Sequence, residues 1–111
     1  MDKEDTIHLR YMMDAIEQLE KYTRGMSESE FFSRPMVQDA VARQIEIVGE
    51  AARKVSTEFQ DLHPKLPWLK TIDIHSKIVR EDFKLNLAMV WDIIQDDLPL
   101  IKQTIRKLLQ S

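Results

Sequence analysis

Between Pro35 and Phe59 the apolar residues Val37, Val41, Ile45, Val48, Ala52, Val55 and Phe59 follow one another at steps of three and four. That is the period of an α-helix with one buried face, and it is incompatible with the alternation of a half-buried strand. Pro35 suits the first turn, where a missing N–H leaves nothing unsatisfied. A helix of this length within 111 residues commits the rest of the chain to packing against it, because a chain this short builds one core. Residues 1–111 are therefore expected to form a single domain. Gly49 interrupts the pattern at a cost of about 1 kcal/mol relative to alanine. With Ala52 it makes a small-x-x-small strip, for which the expected reason is close approach of another helix.

The flanking segments repeat the same period. Leu9, Met12, Met13, Ile16, Leu19 and Tyr22 predict an amphipathic helix from about Asp5 to Tyr22, stopped at Gly25. Ser27-Glu28-Ser29-Glu30 is a capping box and starts a short helical turn carrying Phe31 and Phe32, which ends before Pro35. Gln60 to Pro67 is expected to be a loop. A helix should then start at Trp68 and end near Arg80 to Asp82, with Trp68, Leu69, Ile72 and Val79 on one side and Ile74 and Ile78 on another. Asn86 suits the N-cap of the last helix, whose stripe of Leu87, Val90, Ile94, Leu98, Ile101, Ile105 and Leu108 keeps its phase across Pro99. A kink or break is expected there, with Asp96 or Asp97 recapping the second half. Two glycines and four prolines supply too few turns for a sandwich, so the fold class is all-α, an up-and-down bundle of four to five main helices. Two apolar faces on the 68–80 helix exceed what one small bundle needs to bury, and an oligomer is expected.

The same counts restrict function. Without cysteine there are no disulfides, thiolate metal sites or cysteine nucleophiles, which fits a reducing cytoplasm. A net charge of −3 argues against a general nucleic-acid-binding surface and allows only a local basic cleft. The charged start Asp2-Lys3-Glu4-Asp5 and the lack of a long apolar run predict a soluble, unprocessed chain with no membrane contact. Of the three histidines, His8 and His63 read as ordinary surface or loop residues. His75 lies in the charged stretch Asp73-Ile74-His75-Ser76-Lys77-Ile78-Val79-Arg80-Glu81-Asp82, where it is either a salt-bridged structural residue or a catalytic one. No histidine or cysteine partner stands at metal-ligand spacing and no glycine-rich phosphate loop is present, so neither metal nor cofactor is expected. A histidine and an arginine are the minimal set for cleaving RNA, because the 2′-hydroxyl is the nucleophile. Imidazole moves protons near neutral pH, and guanidinium grips the phosphate in bidentate fashion. On one helix, residues five apart are separated by about 140°, so His75 and Arg80 share a site only if the helix ends between them or a two-fold copy supplies one of them.

Arg43-Gln44-Ile45-Glu46-Ile47-Val48-Gly49-Glu50-Ala51-Ala52-Arg53-Lys54-Val55-Ser56 resembles the R-N-L-E-I-I-G-E-A-A-K-x-L-S signature of the HepT-like branch of the HEPN superfamily. Met26-Ser27, Val37-Gln38-Asp39-Ala40-Val41, Pro67-Trp68, Val90-Trp91-Asp92-Ile93-Ile94 and Asp97-Leu98-Pro99 extend the likeness over nearly the whole chain. The resemblance implies a helical bundle that dimerises around a metal-independent ribonuclease site. It also implies a toxin paired with a minimal nucleotidyltransferase antitoxin of the MntA type, which attaches AMP to a tyrosine of the toxin. The family's site pattern is R-N-x-x-x-H-x-Y. Counted without gaps from Pro67-Trp68 or from Val90-Trp91, it falls on His75, Ser76, Arg80 and Asp82, so the arginine and histidine positions are exchanged and the tyrosine is absent. Two functions follow. In one, His75 is the general acid/base, Arg80 stabilises the phosphorane, and Ser76 and Lys77 bind RNA. In the other, the chain is an inactive module that docks a nucleotidyltransferase or RNA.

Overall fold

The computed structural model describes residues 1–110. The helices are α1 (Lys3–Thr23), α2 (Glu28–Phe32), α3 (Pro35–Lys54), α4 (Thr57–Leu62), α5 (Trp68–Ile72), α6 (Ile74–Ile78), α7 (Leu87–Asp92) and α8 (Leu98–Gln110), with a π-helical turn over Ile93–Asp97 joining the last two. Among the described residues there is no strand, only an isolated bridge between Val79 and Leu85. The fold is the all-α bundle the sequence predicts. Its frame is α1 against α3, with α8 closing on α1 and the short helices α5 and α6 laid across α3.

The predicted stripes form the core. Leu9, Met12, Ile16 and Leu19 of α1 meet Val41, Ile45, Val48 and Ala52 of α3, while Leu98, Ile101 and Ile105 of α8 complete the interior. The capping box forms as expected, with the Glu30 amide donating to Ser27 Oγ and the Ser27 amide donating to Glu30 Oε1. Hydrogen bonding to the carboxyl from Ser27, its backbone amide first and its side chain second, holds Glu30 below its ordinary range. Gly25 takes a φ of 73° after α1, and Asn86 accepts from the Met89 amide at the start of α7.

Three boundaries differ from expectation, each for a local reason. The 35–59 helix stops at Lys54, and Val55 and Ser56 are extended. Buried Asp5 accepts from both the Ser56 amide (2.8 Å) and its hydroxyl (2.7 Å), and Ser56 Oγ in turn accepts from the Phe59 amide to cap α4. The apolar phase runs through this break, so periodicity alone does not reveal it. As a result Gln60 to Leu62, expected to be loop, are helical.

The 68–80 helix is divided at Asp73, leaving Leu69 78% exposed instead of buried on one of two faces. At Pro99 the helix neither breaks nor is recapped by Asp96 or Asp97. The wider π turn lets the Leu98 amide reach the Ile93 carbonyl, which accommodates the proline and keeps one continuous path.

The strip at Gly49 serves the expected close approach. A Cβ there would lie 3.0 Å from the Ile72 carbonyl oxygen and 3.2 Å from that of Thr71. These are backbone atoms at the end of α5, so α5 itself would have to retreat. Gly49→Val is expected to lower stability by about 1–3 kcal/mol through overpacking, although valine has the better helix propensity. Urea denaturation checks this, and a stability equal to the parent's would show that α5 is not fixed against α3.

Candidate functional site

The site stretch begins where α6 crosses α3. Ile74 and Ile78 are buried beneath α6 and fix its rotation, which turns His75 and Ser76 toward the Gly49 side of α3. There a cleft of about 350 Å³ is lined by Glu46, Glu50 and Arg53 from α3 and by Asp73, His75 and Ser76 from the α5–α6 corner. His75 Nε2 lies 3.8 Å from Glu46 Oε2, too far for a hydrogen bond but close enough for an ion pair when the ring is protonated. Arg43 pairs with the other oxygen of Glu46, so this carboxylate is oriented before it meets the imidazole. Ser76 Oγ donates to the Asp73 carbonyl at 2.7 Å, and Lys77 is exposed.

Arg80 follows the end of α6 on a tight turn. Its amide donates to the Lys84 carbonyl (2.8 Å), the Phe83 amide donates back to the Arg80 carbonyl (2.9 Å), and the Asn86 amide donates to the Ile78 carbonyl (2.7 Å). The helix thus ends between His75 and Arg80, as a shared site within one chain would need. Even so, the two side chains make no hydrogen bond or ion pair with each other among the described residues. Arg80 Nη2 pairs instead with Asp82 Oδ2 at 3.5 Å, and Asp82 also accepts from the Lys84 amide.

Carboxylates outnumber cations around His75, with Glu50 paired to Arg53 at 3.7 Å. One chain by itself therefore offers a proton-transfer group beside an oriented carboxylate and no surplus positive charge for a phosphate.

Two residues of the site stretch are not evident from the sequence pattern. Glu46 is an ordinary polar position of α3 until α6 is packed over it. Phe83 has a positive φ of 64°, an outlier for a bulky residue, and is 89% exposed beside Arg80. The available signal is an aromatic residue set in a charged run, Arg80-Glu81-Asp82-Phe83-Lys84.

The remaining histidines are less ordinary than expected. His8 is half-buried, with Nδ1 shut from solvent and unpartnered. The His63 ring packs at a tilt against Phe59 with ring centres 4.2 Å apart, and its carbonyl accepts from Trp68 Nε1. Among the described residues no three histidine or carboxylate side chains converge as a metal-ligand group, and no helix is long and apolar enough to cross a membrane.

Comparison with known proteins places these features in a family context. The model of the family described as ribonuclease HepT-like matches residues 12–108. Over its full length the chain is 33% identical to a protein of Methanocaldococcus jannaschii named as a gamma-glutamylcyclotransferase and candidate RNase, of which it spans 50%. It is 31% identical over 101 residues to a candidate ribonuclease HepT of Thermococcus cleftensis, covering 91% of this chain and 92% of that one. A candidate RNase of Caldanaerobacter subterraneus subsp. tengcongensis is 28% identical over 104 residues, covering 94% and 93%. No solved structure matches the chain.

Proposed function

The chain belongs to the ribonuclease HepT-like family, and from that premise we propose that it is an RNA endonuclease whose site is completed by a second copy of itself. The observation that carries this is the His75 cleft. An imidazole faces an oriented carboxylate there, the cleft's own guanidinium, Arg53, is paired with Glu50, and that of Arg80 stands on a solvent-facing turn. A two-fold axis near this cleft brings the Arg80 of one protomer to the His75 of the other.

In this mechanism His75 takes the proton of the RNA 2′-hydroxyl, and the 2′-oxygen attacks phosphorus. The bond to the 5′-oxygen breaks, that oxygen takes a proton from solvent, to which His75 returns its own, and a 2′,3′-cyclic phosphate and a 5′-hydroxyl result. Arg80 leaves Asp82 for the phosphorane, where two parallel hydrogen bonds stabilise the added charge. Glu46 stands beside the ring as a counter-charge, while Ser76 and Lys77 contact the RNA backbone. No step calls for a metal or cofactor. The chain is further proposed to act in the cytoplasm as the toxin of a pair with a minimal nucleotidyltransferase.

A labelled single-stranded RNA incubated with purified protein in excess chelator tests the activity. Cleavage to cyclic-phosphate ends is expected, and intact RNA would overturn it.

A second function is favoured by one observation, the Arg80–Asp82 ion pair at the position where the family carries tyrosine. If that pair holds Arg80 permanently, the chain is a docking module for the nucleotidyltransferase, and Asp82 offers no hydroxyl for AMP. Stable co-purification of the two with no cleavage would establish this function in place of the first.

A further inference from the structure

On the other side of α6 from His75 lies a groove between α8 and the segment that joins α4 to α5. Two adjoining hollows, of about 390 and 420 Å³, share Lys65, Thr104 and Lys107 and so form one channel. Its floor is apolar, with Ile74 and Ile101 at one end and Leu108 at the other. Leu100 and Leu62 remain 66% and 75% exposed at its margins. Among the described residues the charges lining it are Lys65, Lys70 and Lys107 and the carboxylate of Asp97, which lies 3.5 Å from Lys70 Nζ. A chain of net charge −3 thus gathers a positive rim around exposed leucines.

We propose that this groove is a docking site for a short acidic amphipathic helix of another protein. Charge complementarity selects this occupant. A second copy joined groove to groove across a two-fold axis would set the lysine rims against each other. Single-stranded RNA would satisfy the lysines, but the lining offers bases a single aromatic ring, His63, rather than the series of platforms on which successive bases stack. A helix with leucines at three- and four-residue spacing and glutamates beside them covers the leucines and neutralises the rim together. From Leu100 to Leu108 the α8 wall is about 12 Å long at 1.5 Å per residue, which matches two turns of such a ligand. The site is separate from the His75 cleft and stands whether or not the chain cleaves RNA.

The test is a fluorescence-anisotropy titration of the full chain with a labelled 15-residue helical peptide carrying leucines at that spacing and flanking glutamates. Binding is expected that weakens at least tenfold in Lys65→Glu/Lys70→Glu, weakens in Leu100→Ser, and fades in high salt. A peptide with lysines in place of the glutamates should not bind. Circular dichroism of the variants confirms that they fold. No binding of the acidic peptide, equal binding to the charge-reversed variant, or displacement of the peptide by a single-stranded RNA would overturn the proposal.

Discussion

His75→Ala is expected to reduce RNA cleavage by about 10²–10⁴-fold, the usual contribution of a positioned general acid/base, without loss of the folded state. Stability should hold because the ring is partly exposed and its one ionic contact, Glu46 at 3.8 Å, is a surface pair of the kind worth roughly 0–1 kcal/mol. The effect should appear in kcat more than in KM, since in the proposed mechanism the imidazole acts on the transition state while Ser76 and Lys77 bind the RNA. Single-turnover kinetics on one oligonucleotide, paired with thermal melts, separates the two quantities. Parent-like cleavage by His75→Ala would assign the proton transfer to another group.

Phe31→Ala should give the largest loss of stability in the molecule, about 3–5 kcal/mol. The ring is fully buried and lies 5.5 Å from the Trp91 ring, centre to centre. Its backbone carbonyl also accepts from buried Gln38 Nε2 at 2.9 Å, so α2 is tied to α3 at the same point. A helix of five residues has no stability of its own, and Phe31 is what attaches it. Against total stabilities of about 5–15 kcal/mol, such a loss should lower Tm by more than about 10 °C. A calorimetric Tm within a few degrees of the parent's would mean that α2 contributes little to the cooperative unit.

The sequence makes the frame legible wherever period and cap agree. The stripes of α1, α3 and α8, the Ser27–Glu30 box and the Asn86 cap all follow from residue spacing, because each depends on neighbours within one turn. The breaks at Ser56 and Asp73 do not follow. The first is settled by Asp5, 51 residues away in sequence. The second accompanies the fit of the Thr71 and Ile72 carbonyls against Gly49. The small residue signals that something approaches, but it does not specify a helix end.

The candidate site is similarly divided. Its residue types and spacing are visible in the 73–82 run. Glu46 enters only through packing, and the exposed lysine-rimmed groove arises from segments that are unrelated in sequence, Leu62 to Lys70 and Leu100 to Leu108. The helix expected to end near Arg80 to Asp82 stops earlier, at Ile78, where the bridge from Val79 to Leu85 takes over the backbone bonds.

The most direct test of a site shared between two copies is complementation in mixed dimers. His75→Ala and Arg80→Ala are each purified as inactive proteins, mixed in equal amounts, unfolded and refolded together, and assayed for RNA cleavage in chelator. If His75 of one chain works with Arg80 of the other, a mixed dimer holds one intact site, and random pairing of a two-fold dimer restores about a quarter of the parent activity. A mixture as inactive as either variant alone, beside an active parent refolded in the same way, would contradict the shared site.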